Sequence, residues 1–384
     1  SGAFAFLNPT KRYHPVFASP LPIDRGTKTA HHDGIYHVWR SRDNRKGRHA
    51  AVVTPAALER VGKGLLPQGT TNSFSYTGRG LVKMVTRYPV WDVSYDVATT
   101  FTLGSVVWVI NGTFVWLPLA APWTAFPGEG VVGGGWTAFV GATIFEFGSV
   151  LLMLEAVNEN RTECFGWALE EELEDHGLLH LRAAPEGCHH HHRDKRCLVR
   201  QFHSANTAAT TSATSTTPLP PDTADKQQRL WSWLPTRREL TTHYLKDLGF
   251  LACLAQFLGA TVFWISGFTA LPAINTALSG PTLTGAYWLP QVVGGTGFIV
   301  SSTLFMLEVQ DHWYRPAPRL LGWHIGFWNL VGALGFTLCG ALGFGIEGVG
   351  VEYAATLATF VGSWAFLIGS VIQWYESLDK YPVS

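Results

Sequence analysis

Six apolar stretches, each about 20 residues or longer, dominate this chain and decide what it can fold into. A backbone immersed in hydrocarbon must satisfy its own polar groups, so a run of that length predicts a helix that spans a bilayer. No stretch shows the period-2 alternation of a transmembrane β-strand. The runs cover 95–119, 131–157, 248–271, 286–307, 320–343 and 353–374. The sequence therefore predicts an all-α, polytopic membrane protein with six transmembrane helices.

Composition agrees with this prediction and argues against a nucleic-acid partner. Hydrophobic residues make up 47% of the chain and charged residues 15%, whereas soluble domains average about 25% charged residues. The formal net charge of +0 lacks the basic excess that nucleic-acid binding requires. We expect the lipid bilayer as the main partner, protein partners at the polar regions and no cofactor. The sequence does not indicate an oligomeric state or a particular organelle.

The basic residues predict the orientation of the helices. Loops 120–130, 272–285 and 344–352 contain no Lys or Arg, whereas the opposite helix ends are flanked by them. Basic residues favour the cytoplasmic side, so both termini and the middle loop are predicted to be cytoplasmic. The flanking basic residues are Arg79, Lys83, Arg87, Arg161, Arg237, Arg238, Lys246, Arg315, Arg319 and Lys380.

The polar segments divide the chain into regions between and around three helical hairpins. Residues 1–90 form a polar and irregular N-terminal region, with a short helix predicted to start at Thr54-Pro55. A Thr/Ala/Ser/Pro tract at 204–225 buries too little apolar surface to order itself, which predicts a disordered linker. The predicted regions are 1–90, hairpin 95–157, cytoplasmic loop 158–245, hairpin 246–308, hairpin 320–376 and tail 377–384.

A glycine pattern suggests that the three hairpins are an internal repeat. The odd-numbered helices share small residues eight apart, namely Gly104–Gly112, Gly259–Gly267 and Gly332–Gly340. The even-numbered helices share a seven-residue spacing that ends on glutamate, namely Gly141–Gly148–Glu155, Gly294–Ser301–Glu308 and Gly362–Gly369–Glu376. Seven residues are two helical turns, so each triplet lies on one helix face. Small residues let membrane helices approach closely, so these faces are predicted packing surfaces.

The hairpin also resembles a known membrane module. The run Gly362-Ser363-Trp364-Ala365-Phe366-Leu367-Ile368-Gly369-Ser370 is similar to the second helix of YrhK-like membrane proteins, and Leu103-Gly104-Ser105 with Arg87-Tyr88 upstream is similar to the first. The second hairpin departs from the pattern, with Ser301-Ser302 where Gly-Ser is expected. The resemblance covers the hairpins alone. The whole chain also resembles uncharacterised fungal integral membrane proteins. Neither resemblance implies an activity or a catalytic residue.

Three carboxylates, Glu155, Glu308 and Glu376, end the even-numbered helices. A carboxylate at a helix C-terminus opposes the macrodipole, so something must compensate it. One hypothesis is a ring of carboxylates that binds a cation at a pore mouth. The alternative, which the sequence favours, is that basic residues pair with interfacial carboxylates and fix the depth of the helices, since charges are common at the interface.

Glu146 is different because it lies in the middle of the second helix. A charge near the bilayer centre costs a few kcal/mol, so such a residue is a functional hypothesis by default. Glu146 is a candidate for transport or proton handling, or it is protonated and hydrogen-bonded to Asn111 or another helix. Gln256, His324 and Asn329 are candidate partners, although ordinary interhelical hydrogen bonds are the simpler interpretation.

A Cys/His cluster in the middle loop invites a metal hypothesis, because both residue types are zinc ligands. Its spacing matches no structural zinc pattern, and a His run is more often low-complexity sequence. The cluster consists of Cys188, His189, His190, His191, His192, Cys197 and His203.

No phosphate loop, nucleophile elbow or zinc-protease motif is present in the sequence. Three function classes follow. The first is a non-catalytic membrane scaffold or sensor, and the second is a small-solute or ion transporter or channel that uses Glu146. The third is a lipid-acting membrane enzyme, which ranks last because no motif supports it.

Overall fold

The computed structural model describes residues 7, 11–18, 34–48, 50–53, 73–159, 161–166, 168–169, 231–345 and 348–380. Its N-terminal part contains a three-stranded antiparallel sheet in the order β1-β2-β3, formed by β1 (Lys11–Ala18), β2 (Gly34–Arg40) and β3 (Ala50–Val53). The sequence predicted an irregular region here. The strand β2 reads GIYHVWR, whose aromatic and β-branched residues favour extended structure. The predicted helix start at Thr54-Pro55 and the 204–225 tract lie outside the described residues.

Eleven helices follow or interrupt this sheet in the described part of the chain. In chain order they are α1 (Ser41–Arg45), α2 (Phe74–Thr86), α3 (Val93–Ala120), α4 (Gly135–Val157), α5 (Arg237–Thr242), α6 (Leu248–Thr269), α7 (Pro272–Asn275), α8 (Gly280–Leu283), α9 (Leu289–Val309), α10 (Leu321–Gly343) and α11 (Val349–Ser377). Short 3₁₀ turns lie at Pro122–Thr124, Thr162–Cys164 and Tyr244–Lys246, and π-helical turns at Glu129–Gly134 and Thr284–Trp288.

Six helical runs in the described residues are long and apolar enough to cross a membrane, which confirms the predicted all-α polytopic architecture. The π-helical turns extend α4 and α9 toward their N-termini. The runs are Val93–Ala120, Glu129–Val157, Leu248–Thr269, Gly280–Val309, Leu321–Gly343 and Val349–Ser377. Each overlaps its predicted span. The largest differences are the earlier starts of the fourth and sixth runs, because polar and glycine residues there continue the helix beyond the apolar segment.

The six long helices form a closed ring in sequence order, in which α11 returns to pack against α3. The hairpins are α3–α4, α6–α9 and α10–α11. We call the end of the ring where α3, α6 and α10 begin the N-terminal face, and the opposite end the loop face. A ring of this kind encloses a central axis, and the two ends of that axis are built very differently.

The predicted small residues lie at the contacts between neighbouring helices. The first motif glycine of α3, α6 and α10 faces the partner helix of the same hairpin, in the pairs Gly104 with Phe145, Gly259 with Gly294, and Gly332 with Phe366. The second faces the preceding helix around the ring, in the pairs Gly112 with Phe360, Gly267 with Ala142, and Gly340 with Val292.

The small motif residues of α4, α9 and α11 pack against the other helix of their own hairpin. These contacts are Gly141 with Trp108, Gly148 with Phe101, Gly294 with Phe263, Gly362 with Phe336, Gly369 with Asn329, and Ser301, whose Oγ donates to the Ala252 carbonyl at 2.8 Å. An added Cβ at Gly259 would lie 2.9 Å from the Gly294 carbonyl oxygen, so this helix pair approaches as closely as the backbones allow.

Candidate functional site

The three glutamates near the C-terminal ends of α4, α9 and α11 are buried at the N-terminal face. Glu155, Glu308 and Glu376 lie in the last turns of α4, α9 and α11 and are at most 3% exposed. Each helix dipole places negative partial charge at the same end, which adds to the cost of the carboxylates. Buried charges require partners of opposite sign with well-formed hydrogen bonds.

Those partners come from the segment 41–48, which enters the ring from the N-terminal region. Arg45 bridges two hairpins, because its Nη1 lies 2.7 Å from Glu155 Oε1 and its Nη2 lies 2.8 Å from Glu308 Oε2. Arg42 Nη2 lies 2.6 Å from Glu376 Oε2, and Arg48 Nη1 lies 3.2 Å from Glu376 Oε1. Each hairpin therefore contributes one carboxylate to a single cluster.

We call this cluster the N-terminal lock, comprising Arg42, Arg45, Lys46 and Arg48 with Glu155, Glu308 and Glu376. Its geometry corresponds to the pairing alternative for the three glutamates rather than to an open cation site. The basic partners are supplied from over 100 positions earlier in the chain, with separations of 110 residues for Arg45 and Glu155 and 334 for Arg42 and Glu376.

Neighbouring polar groups hold the lock in place. Ser41 Oγ donates to Asp247 Oδ1 at 2.8 Å and to Glu308 Oε1 at 3.2 Å. Arg48 also pairs with Asp43 at 3.2 Å and donates to the Asp379 carbonyl at 2.9 Å. These contacts bind the segment to α6, α9 and the end of α11, so its position is fixed by all three hairpins.

The electrostatics of the lock favour the charged arginines. Burial alone would lower the pKa of Arg45, but the carboxylates of Glu308 and Glu155 raise that pKa well above its ordinary value. The pKa of Arg48 is also raised, since Glu376 and Asp43 outweigh burial. Both side chains therefore carry a positive charge at neutral pH.

Lys46 differs from the arginines. Its Nζ lies 3.8 Å from Glu155 Oε1, which is close enough for ionic attraction but too far for a hydrogen bond. Among the described residues, Nζ has no hydrogen-bond partner, and the side chain is 3% exposed. Burial lowers the pKa of Lys46 to about 8, against the opposing effect of Glu155.

A small chamber of about 40 Å³ lies above the lock inside the ring, and most of its lining surface is apolar. We call it the inner chamber. Lys46, Arg42 and Arg45 form its base. Its walls combine apolar side chains with amide and hydroxyl groups. The apolar residues are Phe101, Phe145, Leu152, Phe305, Ile325 and Phe366, and the polar ones are Gln256, Asn329, Gln373, Ser105, Ser302 and Ser370. The predicted candidates Gln256 and Asn329 thus occupy corresponding positions, each three residues before the first glycine of its helix.

An aromatic layer closes the axis above the inner chamber. Each long helix contributes one ring, four residues after the first glycine of its motif: Trp108, Phe145, Phe263, Phe298, Phe336 and Phe366. All six side chains are at most 5% exposed. Ring centroids lie 4.8 Å apart for Trp108 and Phe336 and 5.4 Å apart for Phe336 and Phe366, in edge-to-face arrangements. The layer is a packed core that separates the two ends of the axis.

A larger cavity of about 410 Å³ lies on the other side of this layer. We call it the loop-face cavity. Its floor includes Trp108, Phe263 and Phe336, and its walls carry Asn111, Ser266, Asn275, Tyr287, Gln291 and Thr359. Glu352 is the one carboxylate among its described lining residues, and none of these residues is Lys, Arg or His. The volume is within the range of small-molecule sites.

Glu146 does not lie on the axis. It is partly exposed on the outside of the ring, between α4 and α6, and lines neither cavity. Its Oε1 accepts from Thr261 Oγ1 at 3.0 Å, and its Oε2 lies 3.3 Å from Ser149 Oγ. A hydrogen bond across two hairpins satisfies this carboxyl group, as expected of a polar side chain within the membrane.

The other residues proposed as partners of Glu146 make different contacts. Asn111 Nδ2 donates to the Gly134 carbonyl at 2.7 Å and to Thr137 Oγ1 at 3.0 Å, which joins α3 to the start of α4. His324 Nε2 lies 2.7 Å from the Pro318 carbonyl, near the N-terminal face. The structure therefore distributes the predicted intramembrane set over four separate locations.

The Cys/His cluster at 188–203 lies outside the described residues. Among the residues that are described, no group of three or more His, Cys, Asp or Glu side chains has the arrangement of a metal site. Comparison of the chain with family models, curated proteins and solved structures gave no match.

Sequence reasoning did not identify the basic segment or the aromatic layer. A signal for the first exists in the run SRDNRKGR at 41–48, which places four basic residues ahead of three glutamates that need partners. A signal for the second exists in the aromatic residue that follows the first glycine by four positions in every helix. This spacing places the ring one turn along the same helix face as the glycine.

Proposed function

We propose that this protein is a non-catalytic membrane sensor or scaffold, in which the helix ring holds the N-terminal segment 41–48 and receives a small molecule in the loop-face cavity. The observation that carries the proposal is the double closure of the axis. The aromatic layer closes it in the middle, and the N-terminal lock closes it at one end. A closed axis does not let a solute pass, whereas the loop-face cavity can bind a ligand and the opposite end of the ring holds the segment 41–48.

The chemistry of the loop-face cavity supports a particular ligand class. Aromatic rings and neutral polar groups line it, and its one carboxylate comes from Glu352. Anions find no cationic partner among the described lining residues, whereas ammonium groups are attracted to ring faces and to a carboxylate. The proposed ligand is a small organic molecule that is neutral or cationic.

The position of Glu146 also supports a non-conducting role. A transport function that used Glu146 requires a hydrated path to that carboxylate. Its hydrogen bond to Thr261 and its absence from the lining of both cavities argue against such a path. We propose no catalytic residue. We also propose that the hairpins are related to the YrhK-like module and that the N-terminal face is cytoplasmic.

One observation favours a transporter or channel as the second candidate. The inner chamber and the loop-face cavity lie on the same axis and share the aromatic layer as their common wall, since Phe145 and Phe366 line the first and Phe263 and Phe336 the second. Permeation would require both the aromatic layer and the N-terminal lock to open. In that case the lock is a gate rather than a structural attachment.

Reconstituted vesicles distinguish the two candidates. We expect wild-type protein to pass no Na⁺, K⁺, Cl⁻ or protons in dye assays, and Glu146→Gln to behave like wild type. An ion flux in wild type would overturn the proposal. A flux that appears only in the Arg42→Gln/Arg45→Gln double variant would support the gated-channel candidate instead.

Ligand binding is tested at the loop-face cavity with named probes. We expect tetramethylammonium or indole to raise the melting temperature of wild-type protein in detergent, but not that of Ser266→Trp, whose side chain fills the cavity. An Ile265→Trp variant, changed at an exposed position of the same helix, is the control and should keep the shift. Absence of any shift with both probes, or equal shifts in all three proteins, would count against this ligand class.

A further inference from the structure

The inner chamber carries an unused set of hydrogen-bond donors. The ammonium of Lys46 has three N–H groups, and none of them has an acceptor within hydrogen-bond distance among the described residues. Arg42 Nε is also buried without an acceptor. A buried charged donor without an acceptor is costly, so such groups in native proteins call for a water or an ion.

The charge of the chamber lining favours an anion. Arg42, Arg45 and Lys46 line it, whereas no Asp or Glu does so among the described residues. The arginine head groups face their carboxylates in the lock, with Arg45 Nη1 at 2.7 Å from Glu155. Glu155 Oε1 lies 3.8 Å from Lys46 Nζ and makes no hydrogen bond to it.

The walls of the chamber provide further donors of neutral type. The amide groups come from three helices, with Gln256 on α6, Asn329 on α10 and Gln373 on α11. Amides and an ammonium together form a donor set that stabilises a small anion without requiring an additional charge. The aromatic layer excludes bulk water from one side, which strengthens these interactions.

The size of the chamber limits the occupant. Its volume of about 40 Å³ corresponds to roughly two or three water-sized positions. A monatomic anion, which is only slightly larger than a water molecule, fits this space. A phosphate, a carboxylic acid or an organic ligand does not.

We propose that the inner chamber binds one small inorganic anion of the halide class, held by Lys46 Nζ and the amides of Gln256, Asn329 and Gln373. This site is separate from the loop-face cavity, and the inference does not depend on the proposed sensor function. The anion supplies the missing acceptor for Lys46 and thereby strengthens the attachment of the segment 41–48 to the ring.

The first test compares anions at constant ionic strength. Full-length protein in detergent is melted in sodium chloride, in sodium bromide and in sodium gluconate, whose anion is too large for the chamber. At ten or more times the dissociation constant, a halide should raise the melting temperature by about 2–4 °C over gluconate. Lys46→Met should lose this difference, whereas Lys246→Met, which removes an exposed charge at the same face, should keep it.

Two outcomes of this test would overturn the proposal. One is an equal melting temperature in chloride, bromide and gluconate. The other is a halide effect that persists unchanged in Lys46→Met, since the anion would then bind elsewhere.

A second test does not depend on a folded variant. In wild-type crystals grown with bromide, an anomalous peak should lie within hydrogen-bond distance of Lys46 Nζ, about 3.2–3.5 Å for so large an anion. Density at that position without anomalous signal would identify water and would refute halide binding.

Discussion

The two ends of the helix ring are built from the same six helices but differ in almost every physical respect. The N-terminal face buries three basic side chains and three glutamates next to a chamber of about 40 Å³, with Arg48 less deeply buried beside them. The loop face has a cavity of about 410 Å³ with a single carboxylate in its described lining. The difference shows that the ring helices close the axis in the middle but do not themselves fill its N-terminal end. Closure at one end comes from a separate segment that brings opposite charges.

Removing the central arginine should produce the largest effect on this comparison. Arg45→Met leaves Glu155 and Glu308 buried without their partner, and breaking a buried pair in this way costs about 3–5 kcal/mol. We expect a correspondingly lower free energy of unfolding in detergent, together with faster proteolysis within the segment 34–53.

A matched control and a rescue accompany this change. Arg238→Met removes an exposed charge at the same face and should change stability by less than about 0.5 kcal/mol. Adding Glu155→Gln and Glu308→Gln to Arg45→Met should restore part of the loss, because neutral amides remove the unpaired charges. An Arg45→Met protein as stable as wild type would refute the lock as a structural attachment.

The wall between the two ends should give the next largest effect. Phe336→Ala removes a buried ring that contacts Trp108, Phe263 and Phe366, and truncations of this kind cost about 3–5 kcal/mol in soluble cores. We expect a loss near the lower end, since lipid weakens the hydrophobic contribution but not the loss of packing.

Trp364→Ala is the control for the aromatic layer. That side chain is 46% exposed on the outside of the ring, so its removal should be much less costly. The melting temperatures of Phe336→Ala and Trp364→Ala are measured in the same detergent and compared with that of wild type. Equal losses would mean that the aromatic layer is not the core of the ring.

The unequal volumes of the two cavities lead to a smaller, paired effect. Ser302→Leu adds bulk to the inner chamber and should destabilise the protein by about 1–3 kcal/mol through overpacking. Ser266→Leu adds the same bulk to the loop-face cavity and should cost less than the first change. Denaturation of both variants compares the cavities directly, and a reversed order would contradict the volumes assigned to them.

A pH dependence specific to the closed end should be the smallest effect. The folded-state pKa of Lys46 is about 8 and its ordinary value is 10.5. Between these values the unfolded chain binds more protons than the folded protein, so the free energy of unfolding should rise with pH. From pH 7.5 to 9.5 we expect a gain on the order of 1 kcal/mol. The groups that act on Lys46 are Glu155, Arg42, Glu376 and Arg45.

Lys46→Met provides the baseline for this titration, since other groups also titrate in alkaline solution. The difference between wild type and Lys46→Met isolates the contribution of the one ammonium. A difference that does not change with pH would show that Lys46 keeps an ordinary pKa in the folded protein.

The amino-acid sequence by itself determined the six membrane-spanning helices and their approximate bounds, but not α2, which lies in the N-terminal region predicted to be irregular. Apolar length alone decides this, because a backbone in hydrocarbon has no other way to satisfy its polar groups. It also identified Gly259 and Gly332 as packing positions and the three glutamates as groups in need of compensation. These are local properties, carried by spacing along one helix.

Only the tertiary structure decided which charges meet and where the axis is open. Arg42 and Glu376 are 334 residues apart in the chain, and no spacing rule connects an N-terminal arginine with the end of the last helix. The same limit explains Glu146, whose mid-helix position predicts its depth but not the direction that it faces. Depth in a membrane follows from apolar length, whereas facing and pairing follow from how the helices pack around the ring.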